Sequence, residues 1–597
     1  MSSLERDPHN EYVRRLEKRV EVAARFDRTH IRVGNVNVML AIAAALIAWA
    51  AFGYGALSPL WLLAAGAVFL VLSIYHGRVL RKRKRAARAA RFYENGIARV
   101  EGRWAGRGYG GEHYDDPAHP YAEDLDLFGR GSLYELLCAA RLRTGEKTLA
   151  EWLLNSAGLD EIRARHQAID ELRSRLDLRE DISLLGEEVR SGINPGDLVR
   201  WSEQDVILES RSARIVAVIL AAAAVAGAVV WWITGFVTPL IVVGIIEAIF
   251  YFRFRSRISK VVEAVGKPAY GLGLLSEVLA RFEREKFASP RLAELRKQLD
   301  IHGHAPSRQI ARLNRLMEML DSRDNVLVRV IGPPLLWTTQ LAFAVEAWRK
   351  ENGRAVRHWI SAVGEMEAFL SLASYAYEHP ADPFPEITAE GPIFDADAIA
   401  HPLLDERKAV RNDVHLGADL RVLVVSGSNM SGKSTLLRTV GVNAVLAMAG
   451  APVRAKRLVI SSVAVGASIR TLDSLQSGTS RFYAEIKRLR LLIEQTNGPR
   501  PLLFLLDELL HGTNSHDRKA GGEAVVRSLV QRGAFGLLTT HDLALAHIAD
   551  ELYPRAINVH FQDFLEDGNM KFDYRLRPGV VTKSNALELM RSVGLDV

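Results

Sequence analysis

One cysteine, Cys138, is all the chain has. A single thiol forms no internal disulfide and no cysteine-rich zinc site, which suits a reducing compartment. Neither charge sign dominates: 77 Lys and Arg stand against 70 Asp and Glu, a net charge of +7. That balance permits an acidic partner, nucleic acid or anionic lipid, without choosing between them. There is no internal repeat of fixed period and no long low-complexity tract. With 25% charged residues the chain is not wholly membrane-embedded, and at 597 residues it is too long for one hydrophobic core. Several domains are expected.

Charge is missing altogether from Gly34 to Tyr75. Two apolar arms of about 15–17 residues flank the break GYGALSP, short for a bilayer span of roughly 20 but readable as a helical hairpin. The run starts too late for a signal peptide, and no A-x-A-like site precedes soluble sequence. A second apolar segment, Ile215 to Phe252, turns at Thr234-Gly-Phe, with Trp231 and Trp232 beside the turn and Glu247 as the one charge inside. Glu247 is expected to face a partner helix or to be protonated. Eight basic residues between Arg78 and Arg91 follow the first hairpin, and Arg211, Arg214, Arg253, Arg255, Arg257 and Lys260 bracket the second. The positive-inside rule then puts every flank in the cytosol and leaves only the two turns outside. Four short spans in the inner (cytoplasmic) membrane are expected, the basic run lying against lipid.

Residues 10–30 read as a charged amphipathic helix, and 93–127 as a solvated Gly/Pro-rich connector in which His113, Asp115, Asp116 and His119 are not a metal set. Helical spacing covers 132–200 and 262–377, with breaks at Ser289-Pro290, at His304 to Pro306 and at Gly332 to Pro334. HPADPFPEI, from His379, marks a domain boundary.

The chemistry lies in the last 200 or so residues. Arg421 to Ser426 is a short apolar strand, and Gly427, Ser428, Asn429, Met430, Ser431, Gly432, Lys433 and Ser434 fit G-x-x-x-x-G-K-[ST]. Backbone N–H groups of such a loop wrap phosphate, aided by the following helix N-terminus, where Thr435 also lies. Lys433 is expected on the β- and γ-phosphates of ATP, and the Ser434 hydroxyl on Mg²⁺. PLLFLLDE, Pro501 to Glu508, ends an apolar strand in two carboxylates. Asp507 is expected to hold Mg²⁺ and Glu508 to polarise the attacking water. A further strand ends at Thr539, Thr540 and His541, and a histidine there can sense the γ-phosphate.

These motifs together resemble the MutS family of ABC-type ATPases. SGSNMSGKSTLLR is similar to that family's phosphate loop, with its Asn-Met pair. DELLHGTNSHD resembles the segment that follows, departing from it at Leu510 and His511, where the family usually has Gly and Arg. TLDSLQSGTSRFYAEI, Thr471 to Ile486, resembles the family's signature, with Ser480, Phe482 and Glu485 in its Ser-x-Phe-x-x-Glu pattern. In the family that serine contacts ATP bound by the other subunit, so the resemblance implies a homodimer with composite sites. IAHPLLDERKAVRNDVHLG is similar to the segment before the loop, but Val410 and Arg411 stand near where an aromatic residue commonly stacks on adenine. The C-terminal FDYRLRPGVVTKSNALELMRSVGL also looks like the family's last strand and helix. GSLYELLCAARLRTGEKTLAEWLL, with Gly145 and Trp152, resembles the start of the family's helical core. Phe92-Tyr93-Glu94 imitates the family's mismatch-reading Phe-x-Glu but has no mixed α/β domain around it, so a member without that reading domain is expected.

The expected fold is multidomain: an α-helical MutS-like core with two transmembrane hairpins, then an α/β P-loop ATPase domain. The expected layout is an N-terminal cytoplasmic helix at 1–33, a transmembrane hairpin at 34–76, a basic, Gly-rich connector at 77–127 and a first core part at 128–213. A second hairpin at 214–252, a second core and lever part at 253–385 and the ATPase domain at 386–597 complete it. The expected activity is ATP hydrolysis in a dimeric composite site, coupled to DNA binding related to mismatch repair or recombination, with the DNA contacted by structure or backbone. The alternative is a membrane-bound switch that remodels a protein or lipid partner without DNA. An ABC transporter fits less well, since no L-S-G-G-Q-type signature is present.

Overall fold

A computed structural model describes residues 7–190, 194–300, 303–322, 325–428, 431–470, 481–510, 515–541, 543–566 and 569–581. The N-terminal two thirds are helical and the remainder is α/β. Helix α1 runs unbroken over Pro8–Gly53 and α2 over Leu60–Val100, so each apolar arm continues directly into a charged helix. Pro8 occupies the first turn of α1 and Asp7 caps it, its carboxylate accepting from the His9 N–H.

Shorter helices follow: α3 (Leu133–Leu137), α4 (Arg143–Leu154), α5 (Leu159–Arg173), α6 (Leu176–Arg190) and α7 (Pro195–Glu203). The second hairpin is α8 (Arg211–Thr234) and α9 (Thr238–Glu283), with Gly235 closing α8 in the left-handed region that terminates helices. Then come α10 (Pro290–Leu299), α11 (Pro306–Asp321) and α12 (Val326–Ile331). Proline opens both α10 and α11, where its missing N–H costs nothing.

Among the described residues, three helices are long and apolar enough to cross a membrane: α1, α2 and α8. Four spans were expected. The fourth arm is only the first third of α9, and its apolar run stops at Arg253.

Helix α13 (Trp337–Glu378) is the spine, packed against α4, α5, α7, α9, α10 and α11. Its buried Glu367 accepts hydrogen bonds from the backbone N–H groups of Arg141 (3.1 Å) and Leu142 (3.0 Å), fixing the entry to α4. Gly145 is needed there, because a Cβ would lie 2.3 Å from the Glu367 carboxylate.

Residues 101–132 depart from the solvated connector expected. Trp104, Tyr121, Leu125, Leu127 and Phe128 are buried in the main core. Asp124 accepts from the N–H groups of Ile469 and Arg470, both at 2.7 Å, and Arg488 lies 3.3 Å from it. The acidic residues read as solvating the segment instead pin it to the α/β region. His113 bonds Tyr109, His119 bonds the Leu154 carbonyl, and the described residues hold no metal-ligand cluster.

The C-terminal strands are β1 (Glu386–Thr388), β2 (Phe394–Ile399), β3 (Asn412–Leu416), β4 (Val422–Ser426), β5 (Arg457–Ser461), β6 (Ala464–Ser468), β7 (Leu502–Asp507), β8 (Phe535–Thr540), β9 (Ala556–Glu566) and β10 (Asn569–Pro578). The small sheet has the order β1-β5-β2-β3, and the larger one β10-β9-β4-β8-β7-β6. In the larger sheet every pairing is parallel except that of β10 with β9. Helices α14 (Lys433–Ala449), α15 (Arg481–Gln495) and α16 (Ser515–Gln531) cover it, with the short α17 (Leu543–Ala546) and α18 (Ile548–Glu551). The central strands are buried along their length, as their uninterrupted apolar sequences require.

Candidate functional site

In a parallel sheet the carboxyl ends of neighbouring strands lie together, and ligands bind there. Strands β4, β8 and β7 are such neighbours: Ser426 pairs with Thr540, and Thr539 with Asp507. The glycine loop after β4, the carboxylates after β7 and the histidine after β8 are therefore brought to one edge from three separate stretches of sequence. A cavity of about 630 Å³ opens beside them, lined by Gly432, Lys433, Ser434, Thr435, Asp507 and Glu508 among others.

Lys433 is the first residue of α14 and is buried. Its ammonium donates to the carbonyls of Gly427 (2.8 Å) and Ser428 (2.9 Å) and lies 3.8 Å from the Glu508 carboxylate. Burial pushes its pKa below the ordinary lysine range, and the Glu508 and Asp507 carboxylates oppose that shift. Gly432 sits at φ 101°, where only glycine is at ease, and Tyr574 crowds the place a Cβ would take. Among the described residues, the buried hydroxyls of Ser428 and Ser431 have no hydrogen-bond partner.

Asp507 accepts a hydrogen bond from the Thr539 hydroxyl. The Glu508 N–H donates to the Thr539 hydroxyl (3.1 Å) and carbonyl (3.2 Å), which ties the two strand ends together. His541 Nδ1 is 3.4 Å from the Glu508 carboxylate. Glu508 at φ 48° and Leu510 at φ 55° both occupy the left-handed region. That geometry would suit glycine better than the leucine present at 510. The turn is held from α15, where the buried Glu485 accepts from the Leu510 N–H at 2.6 Å.

The structure thus brings together Gly427, Ser428, Ser431, Gly432, Lys433, Ser434, Thr435, Asp507, Glu508 and His541. Asn429, Met430 and Ser480 lie outside the described residues. Among the further residues that line the cavity without having been singled out as site residues are His401, Lys408, Asn412, Phe561 and Tyr574. Tyr574, on β10, supplies an aromatic side chain beside Val410, and Asn412 holds its backbone, donating to the Tyr574 carbonyl at 3.0 Å. The signal for Tyr574 was weak because 162 residues separate it from Asn412. Phe92, by contrast, is buried in a cluster with Tyr12, Tyr93, Leu176 and Tyr377, inside helix α2.

The C-terminal region is thus an α/β domain with a glycine loop, paired carboxylates and a histidine at one sheet edge. Residues 423–596 match the family described as MutS domain V. Over this region the chain carries a MutS-family domain. It is 34% identical over 208 residues to Endonuclease MutS2 of Thermomicrobium roseum, covering 33% of this chain and 25% of that protein. It is 34% identical over 254 residues to DNA mismatch repair protein MutS 2 of Halobacterium salinarum, covering 41% and 28%. With DNA mismatch repair protein MutS of Thermus thermophilus the identity is 31% over 258 residues, covering 43% and 30%. The chain therefore spans less than a third of the length of these relatives.

Proposed function

We propose that this chain is a membrane-anchored ATPase that hydrolyses ATP in a composite site of a homodimer. The observation that carries the reading is the convergence of Lys433, Asp507, Glu508 and His541 on one cavity beside the glycine loop. The residues fit a magnesium-bound triphosphate. Two buried serine hydroxyls lack partners among the described residues, a buried ammonium rests on loop carbonyls, and a helix N-terminus opens at Lys433. Magnesium ATP would supply the phosphoanhydride and the cation that screens its charge.

The chain's own residues do the rest. Lys433 exchanges carbonyl contacts for phosphate oxygens. Ser434 and Asp507 would hold the cation, with Asp507 aimed by Thr539. Glu508 accepts the proton of the attacking water. His541, within reach of Glu508, orients that carboxylate and senses the terminal phosphate. Tyr574 offers a face for the base. Ser480 completes the site of the second subunit, as in the family that the signature resembles.

The basic flanks support an inner-membrane location with the α/β domain in the cytosol. The names of the relatives support DNA as the partner, bound through phosphates rather than base edges. A second reading, remodelling of a protein or lipid partner, is favoured by one contact. Glu378, the last residue of α13, accepts from Arg99 of α2 (2.7 and 2.6 Å) and from Tyr12 of α1 (3.1 Å). The end of the spine that leads into the α/β domain thereby contacts both α1 and α2.

The test uses the solubilised full chain. Lys433→Ala should weaken ATP binding, and Glu508→Gln should retain ATP while turnover falls about 10²-fold or more. Parental turnover in Glu508→Gln would remove Glu508 as the base. Binding to duplex DNA should weaken steeply with salt and be equal for matched and mismatched duplexes within a few-fold. Intact turnover without DNA binding at low salt would favour the second reading.

A further inference from the structure

We propose that a cavity beside the second hairpin binds an amphiphile bearing a protonated amine. The cavity, about 900 Å³, lies between α9, α12 and the start of α13. Much of its wall is apolar, including Ala248, Tyr251, Val262, Pro334, Leu336 and Trp337. Its volume falls at the upper end of those that hold small organic ligands. On α9 it extends from Gly244 to Glu263, about 28 Å at the helical rise, room for an extended alkyl chain.

Glu247 sits in this wall. It is 6% exposed, and among the described residues its Oε1 has no hydrogen-bond partner and no ion pair neutralises it. A carboxyl group kept for packing alone would be bonded or replaced by an apolar residue, because lone buried polar atoms are costly. An ammonium group satisfies both its charge and its open oxygen. The remaining charges lining the cavity are Glu263 and Arg329. Two carboxylates against one guanidinium leave a negative lining, which selects a cationic head over an anionic one. The apolar wall selects an alkyl or aromatic body. The cavity shares no lining residue with the nucleotide site, so failure here leaves the ATPase reading untouched.

The test uses the full chain in lipid nanodiscs and a dodecylamine carrying a photoreactive diazirine in its chain. Label should map to residues 244–263 and 328–339. Unlabelled dodecylamine should compete at least tenfold better than dodecanol or dodecyl sulfate. In Glu247→Gln that preference should vanish, with amine and alcohol competing alike. Ala248→Trp, which fills the cavity without touching the carboxyl group, should abolish specific labelling. Label spread outside the cavity, equal competition by amine and alcohol in the parent, or an undiminished preference in Glu247→Gln would overturn the proposal.

Discussion

Helix α14 and the first hairpin are both apolar, yet they meet opposite surroundings. From Leu436 to Ala449 every residue of α14 but one is buried, enclosed by the large sheet and by α4 and α5. In the most apolar stretch of α2 nothing is buried, and Leu63 is 71% exposed. A helix hydrophobic all round needs an apolar environment: α14 has one inside its own domain, and the described residues supply none for the most apolar stretch of α2. The comparison teaches that hydropathy alone does not separate a core helix from a spanning one. Length and neighbours do.

A charge placed in each helix would break or sharpen that contrast. Ala447→Asp buries an unpaired carboxylate and should cost about 4 kcal/mol or more, read as loss of the α/β domain's cooperative melting. Leu63→Asp should leave that melting unchanged but cost about 3 kcal/mol in lipid, read as a smaller fraction of chain retained in alkali-washed membranes. Undiminished retention would show that α2 does not meet lipid.

Acid should act on the buried side. Burial holds His166 and His401 at a pKa of about 4, with Arg438 adding to the shift at His401. Both folded values lie below the unfolded value of about 6.5, so the unfolded chain takes up protons first as pH falls. Stability is complete above about 6.5 and is lost toward 4. Melting of the α/β domain should drop by several degrees between neutral pH and about pH 5. His401→Asn, which keeps an acceptor for the Leu403 N–H, should flatten that slope. An unchanged slope would show that His401 does not set it.

The smallest effect concerns Leu510. Its side chain is buried, but its φ is 55°. Leu510→Ala should cost about 2 kcal/mol of stability through lost packing. Leu510→Gly should cost about 1 kcal/mol less, because glycine is unstrained in the left-handed region. Greater damage from glycine than from alanine would show that backbone strain at this turn is negligible.

The glycine loop, Asp507-Glu508 and the strand before His541 were legible because each is a short local pattern: an apolar strand followed by its functional residues. The helix starts at Pro290 and Pro306 were legible for the same reason, since proline restricts its own backbone. Asp124 was not. In sequence it is one acid in a Gly/Pro-rich stretch, and only folding places it under the N–H groups of residues 469 and 470. Glu485 and Tyr574 were visible within family-like segments, but their roles depend on partners on other elements.

The sequence by itself determined the elements and their order, because strand and helix periodicity, capping and glycine or proline punctuation act over a few residues. It also marked out the side chains that the proposed chemistry uses. Only the tertiary structure decided which strand ends meet, because strand order in a parallel sheet is set by packing across long crossovers. The same packing decided that α14 is covered and the first hairpin is not, and that Glu378 touches α1 and α2. Those contacts join residues 279 and 366 positions apart, beyond the reach of any local pattern.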